Sequence, residues 1–345
     1  MTTMNPSSSI GSAALAYTDI REHAVNVGPA DAFRIEQAAA HLATLHSHRS
    51  LHSPILLRDI EVAALSALPT HVTEKLIEFR DHSNSWGTLL LRGMPTGIVP
   101  VTPEADDSED WRSVPTSSLV QLMVMSVMGR SVSYSDEKSG HLIQNVVPRR
   151  GSETRQENSG CVLLELHTED GFHPNPPHFL SLHCLRGDHD NLAATVTSGV
   201  GDVLPHLDAA AVAELRRCNF RTKFSTSFVD DPTREQWTLP HAILTGNGEV
   251  PDLVVDFNAT EPMTPAASEA YFHLRKVMID NLVGVALQPQ EMILVDNRRA
   301  VHGRTSFIPR YDGTDRWLRR SFSISDLRPL HGYLQPGQRS HQPVT

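Results

Sequence analysis

Three residues in this chain have the types and spacing to hold a metal ion. His167 and Glu169 stand two apart in LELHTED, and His302 lies far downstream in VDNRRAVHGRTSF. On a β-strand, residues two apart project to the same face, so one imidazole and one carboxylate would point together into the fold. A second imidazole from a distant strand completes a 2-His-1-carboxylate triad. That donor set leaves coordination positions open and suits iron(II) with oxygen ligands. The chain has 19 histidines, so any one of them taken alone reads as a surface or packing residue, and only spacing and partners single one out. His173 shares parity with His167 and Glu169 and offers a competing His-Glu-His set, as in a zinc or cupin-type site. Pro174, Pro176 and Pro177 argue that the strand has ended by then, which weighs against that alternative set. His178 and His183 fall in the next apolar run and read as structural.

Beyond His302 comes DRWLRRSF. Arg316 and Arg320 are four apart and face one side of a strand there; Arg319 faces the other. Beside a metal site these cations form an anion pocket. 2-Oxoglutarate chelates iron through its keto oxygen and C1 carboxylate, and its C5 carboxylate then needs a cation such as a bidentate guanidinium.

The elements that must position these groups change character along the chain. Residues 1–30 read as a loose leader. Asp31–Leu45, Pro69–His82 and Ser117–Met128 have apolar residues at helical spacing, and Gly87–Arg92 reads as a buried strand. From about Leu142 short apolar or alternating runs take over, punctuated by Gly, Pro, Asn and Asp, with helices at Val203–Arg217 and Pro265–Ala286. The pattern predicts a mainly β fold with α, a double-stranded β-helix or jelly-roll core with flanking helices. Residues 31–345 are expected to form a single domain: helical wrapping to about 130, core about 140–327, and a C-terminal tail 328–345.

Composition narrows the function. The chain has 345 residues, 39% hydrophobic and 20% charged, with a formal charge of −10. That charge argues against nucleic-acid and acidic-membrane partners, which need a concentrated basic field. Three scattered cysteines give no thiolate site and fit a reducing cytoplasm. No signal-peptide pattern or membrane-length apolar run is present.

The motifs HTEDGFHP, VDNRRAVHGR and DRWLRRSF resemble the clavaminate synthase-like branch of the taurine dioxygenase superfamily, nearest to free amino-acid hydroxylases acting on arginine, enduracididine and asparagine in antibiotic pathways. The resemblance covers roughly Asp136–Leu327. It implies iron(II) held by His167, Glu169 and His302, with Arg316 on the 2-oxoglutarate C5 carboxylate, assisted by Thr195. It also implies Arg320 on the α-carboxylate of a small-molecule amino acid and Glu137, in SDEKSG, near its α-amino group. Asn158 and Asp256 would contact the substrate side chain. The arginine hydroxylases carry two acids flanking one residue, whereas this chain has Val254 and Asp256; read without the resemblance, Asp256 is a turn residue at a strand end. The segment Phe220–Leu244 falls where the family has a lid.

The resemblance implies β-hydroxylation of an arginine-like or cyclic guanidino amino acid, because a lone buried carboxylate is best explained by a cation. L-Asparagine and lysine or ornithine are the alternatives, as are γ-hydroxylation and desaturation. A halogenase would need the Glu169 position vacated. A cupin-like metal enzyme without 2-oxoglutarate would have no use for Arg316 and Arg320.

Overall fold

The computed structural model describes residues 15–104, 110–151, 160–229 and 235–344. Two β-sheets carry the fold. The larger runs in spatial order through Ser340–His341, Arg130–Tyr134, Trp317–Ile324, Phe179–Arg186, Glu291–Asp296, Thr88–Arg92 and Val25–Asn26, with Gln144–Val146 also paired to Trp317–Ile324. The smaller runs through Thr18–Asp19, Val283–Val285, Thr195–Gly199, Ala300–Arg304 and Leu164–His167. Neighbours in space are distant in sequence, and the central pairs are antiparallel. This is the expected jelly roll with flanking helices.

Alternation along the strands decides what each face meets. In Glu291–Asp296, Ile293 and Val295 join Leu180, Leu182 and Cys184 in the core between the sheets, against Val283, Val285 and Ala300 of the smaller sheet. Met292 and Leu294 face the opposite way, into the N-terminal helices. Those helices are Pro29–Leu45, Pro54–Ala67, Thr70–His82 and Pro115–Met128. Proline opens three of them, where its missing N–H costs no hydrogen bond. Pro115–Met128 is buried nearly all round, wedged between the other helices and the larger sheet. Its polar residues are paired with that sheet: Gln121 Nε2 donates to the Arg319 carbonyl at 2.8 Å, and Ser117 Oγ lies 3.1 Å from His183 Nδ1. His178, 2.9 Å from Ser325 Oγ, is likewise structural. The helices Ala209–Leu215 and Pro265–Asp280 cover the outer face of the smaller sheet.

Four readings differ from the structure, the first being the helix expected over Val203–Arg217, which is instead Val200–Val203, the turn Leu204–His206 and the helix Ala209–Leu215. Residues 18–26 are not loose: Thr18–Asp19 pairs with Val283–Val285 and Val25–Asn26 with Thr88–Arg92, each adding a parallel edge strand. Ser-rich composition gave no sign of this, since edge pairing uses backbone groups. The helix Pro54–Ala67 went unread, although Leu56, Leu57, Ile60 and Ala64 bury one stripe. The helix at Pro265 stops at Asp280, and Val283–Val285 is a strand.

Candidate active site

The open end of the jelly roll holds a cavity of about 610 Å³, and His167, Glu169 and His302 line it. His302 and His167 are directly opposite on paired strands, with ring centroids 4.3 Å apart. A register shift follows at once, between His302 and Arg304. Gly303 permits it: a Cβ there would stand 2.6 Å from the Leu164 carbonyl oxygen. His167 Nδ1 donates to the Glu165 carbonyl at 2.8 Å, leaving Nε2 with its lone pair for a metal.

Glu169 reaches the site by a different route from the one its spacing suggests. The strand ends at His167, and Glu169 begins a turn in which Asp170 has a φ of +49°. Asn297 holds that turn: its Oδ1 accepts from the Glu169 N–H at 2.7 Å, and its Nδ2 donates to the Glu169 and Pro177 carbonyls. Asn297 lies inside the VDNRRAVHGR motif, but only a side chain bonded to backbone on both sides reveals its part. The two Glu169 oxygens divide. Oε2 lies 3.3 Å from His302 Nε2, and Oε1 accepts from Arg320 Nη1 at 2.9 Å. Burial alone would raise this carboxyl, but the Arg320 charge and the His302 contact hold it well below the usual range.

One ligand atom from each of the three residues can be chosen so that all lie within 4.8 Å of one another. Two imidazoles and one carboxylate in that space fit a divalent metal of the iron(II) type. His173 is elsewhere, packed edge-on against Tyr134 and His341, so the one-segment alternative does not form. A second grouping, His189, Asp312 and Asp315, is weaker: Asp312 is exposed, and both Asp315 oxygens accept backbone N–H groups.

Both flanking arginines are brought to the cavity. Arg316 is buried, its Nη2 3.4 Å from Thr195 Oγ1, and no carboxylate among the described residues is in ion-pair reach. Burial pushes its pKa down. A buried guanidinium with one neutral partner is a site awaiting an anion. Arg320 is the opposite case: it pairs with Glu137 as well as Glu169 and donates through Nε to Gln144 Oε1 at 2.9 Å. Burial opposes its charge, but the two carboxylates outweigh that and raise its pKa. Gln144 carries no motif that sequence reading could use.

Asp256 faces the cavity in a bridge with His167. Its Oδ1 accepts the Asn258 and Ala259 N–H groups at 2.7 and 3.1 Å, so it is the turn residue as well. Burial raises its pKa. Phe228, from the expected lid, packs on Phe172 with centroids 5.0 Å apart, and both line the cavity. Asn158 lies outside the described residues.

The chain is similar to known proteins over most of its length. The family model for taurine catabolism dioxygenase TauD, TfdA matches residues 63–322. An L-asparagine oxygenase of Streptomyces coelicolor is 38% identical over 320 residues, 90% of this chain and 94% of that protein. An L-lysine 3-hydroxylase of Catenulispora acidiphila is 34% identical over 84% of this chain and 81% of its own. Among solved structures, asparagine oxygenase in complex with Fe(II), 2S,3S-3-hydroxyasparagine and succinate superposes with a TM-score of 0.86 at 36% identity, covering 92% of this chain and 98% of the other. The non-heme iron oxygenase OrfP with Fe and alpha-ketoglutaric acid gives 0.79 at 28%, covering 92% and 99%.

Proposed function

The chain belongs to the taurine catabolism dioxygenase TauD, TfdA family and to its 2-oxoglutarate-dependent amino-acid hydroxylases, and from that premise we propose that it hydroxylates free L-asparagine at the β-carbon. The observation that carries the reading is the juxtaposition, in one cavity, of a His-Glu-His donor set, a buried anion-free arginine and an arginine–glutamate pair. His167, Glu169 and His302 would hold iron(II), and Arg316 with Thr195 the C5 carboxylate of 2-oxoglutarate. Iron(II) with 2-oxoglutarate and O2 supplies the oxidant, 2-oxoglutarate leaving as succinate and CO2.

The protein's own part is placement. Arg320 and Glu137 present opposite charges to the α-carboxylate and α-amino group of the substrate. Pinning that zwitterion leaves the β-carbon as the first carbon able to face the metal, because the side chain departs from the pinned centre. Phe172 and Phe228, in contact with each other, line the cavity on the lid side, where closure of that segment would keep water from the oxidant. The spare Asp256 oxygen would accept from the side-chain amide of the substrate.

Sequence alone ranks a guanidino substrate first. Two considerations favour asparagine instead. Identity of 38% to the L-asparagine oxygenase supports it, and so does the state of Asp256. That carboxylate has one oxygen committed to a turn and a pKa raised by burial. A half-committed carboxylate, with no second acid at Val254, suits a neutral amide better than a full cation. The guanidino class stays as the second reading, because Asp256 is still a buried acid.

The test is aerobic incubation of the iron(II)-loaded protein with 2-oxoglutarate and single free L-amino acids, following succinate and product mass. The expected result is one oxygen atom gained by L-asparagine, matched by succinate and lost in His167→Ala. Turnover of arginine or a cyclic guanidino amino acid alone would move the assignment to the second reading. Failure to bind either iron(II) or 2-oxoglutarate would end the oxygenase reading.

A further inference from the structure

Arg304, two residues beyond His302, shares the strand face that His302 turns to the cavity, and it lines that cavity. Across the sheet it stands opposite Thr195, whose hydroxyl is the partner of Arg316. The Arg304 and Arg316 guanidinium carbons approach the same Phe307 ring, at 5.4 and 5.9 Å from its centroid. Arg304 is 8% exposed and Arg316 4%. Arg304 Nη2 donates to the Val162 carbonyl at 2.7 Å, while its buried Nε has no partner. Neither arginine forms an ion pair with a carboxylate among the described residues. Asp188, which acts on Arg316 from longer range, is already held by the Leu192 and Ala193 N–H groups. Burial, then the neighbouring Arg316 charge, lowers the Arg304 pKa to about 9.

Two buried like charges around one hydroxyl and one ring are unfavourable until an anion joins them. Resting on the 2-oxoglutarate reading, we propose that Arg304 is a second cation for the distal carboxylate of the bound 2-oxo acid, acting beside Arg316. A carboxylate has about four acceptor directions and accommodates two guanidinium groups. In this arrangement Arg304 is a binding and specificity residue that selects a 2-oxo acid with a far-end carboxylate.

The test compares two probes on the iron(II)-loaded protein without oxygen: 2-oxoglutarate, and 2-oxopentanoate, which has a methyl group in place of the distal carboxylate. Wild type is expected to prefer 2-oxoglutarate strongly. Arg304→Gln should weaken 2-oxoglutarate roughly 10- to 100-fold, the worth of a charge-assisted contact, and leave 2-oxopentanoate within about twofold. Arg304→Lys, which keeps the charge and fold, should lose an intermediate amount; if the Gln variant does not fold, the Lys variant decides by the same ratio. A preference ratio equal to wild type in the folded variant overturns the proposal, including the case where both affinities fall together. That pattern would leave Arg304 as an anchor for the Val162 carbonyl. Absence of any preference in wild type would instead overturn the 2-oxoglutarate reading itself, and the Arg304 role with it.

Discussion

Arg320 shows how much one side chain can be asked to do here. Its guanidinium touches Glu137, Glu169 and Gln144. In the proposed reading a substrate zwitterion would enter by exchanging charges, its carboxylate taking Arg320 as its ammonium takes Glu137. That exchange costs less desolvation than binding to isolated charges, because paired groups are replaced by paired groups. Asp256 is fixed differently: the turn N–H groups commit one oxygen, and in the proposed reading the other would meet the substrate. Asp256→Asn keeps the turn only with its NH2 group on the substrate side, where it opposes the NH2 of an asparagine substrate. We expect the KM for the amino acid to rise about tenfold or more, with the affinity for 2-oxoglutarate unchanged. Steady-state kinetics beside a 2-oxoglutarate titration check this, and equal losses in both would show a collapsed site rather than a lost contact.

At the scale of elements, the C-terminal tail holds together two pieces that carry site residues. Ser340–His341 pairs with Ser133–Tyr134, just before Glu137. The His341 ring stacks on Tyr333 at 5.5 Å and stands edge-on to His173 at 4.6 Å, in the loop that follows Glu169. Tyr134 Oη donates to the Asn175 carbonyl at 2.8 Å in that same loop. Removing residues 333–345 should therefore lower the melting temperature by roughly 5 °C, since each aromatic pair is worth about 0.5–1.5 kcal/mol. It should also raise the substrate KM more than that for 2-oxoglutarate, whose proposed contacts are Thr195, on the strand Thr195–Gly199, and Arg316, just before the strand Trp317–Ile324. An unchanged substrate KM in a stably folded truncation would show that the tail stabilises the fold without ordering the site.

For the whole molecule, burial of neutral histidines sets a dependence on pH. Burial lowers the pKa of His183 to about 4 and of His173 to about 3. In the unfolded chain each takes up a proton near pH 6.5. The folded state does so only near those lower values. The unfolded state thus binds more protons between about pH 6.5 and 4, so stability falls as pH falls through that window. His183→Gln, which keeps hydrogen-bonding atoms toward Ser117 and the Met94 carbonyl, should flatten the fall in melting temperature between pH 6.5 and 4. A slope unchanged from wild type would assign the acid sensitivity to other groups. Among the described residues no helix is long and apolar enough to cross a membrane.

The sequence by itself determined the donor types, the pairing of strands with flanking helices, and the shared face of Arg316 and Arg320, because residue chemistry and a two-residue period are local properties. It also marked His302 as the distant partner of His167 and set His178 and His183 aside as structural. Only the tertiary structure decided how Glu169 turns into the site, since Asn297 acts through backbone groups far away in the chain. The same holds for the charge partners of Arg320 and the convergence of Arg304 and Arg316 on Phe307. It holds too for the pairing of residues 18–26, where main-chain hydrogen bonds at a sheet edge leave no imprint on side-chain pattern. Each of these depends on strands brought together from remote parts of the chain, and register across a sheet is a property of the folded pair rather than of either strand alone.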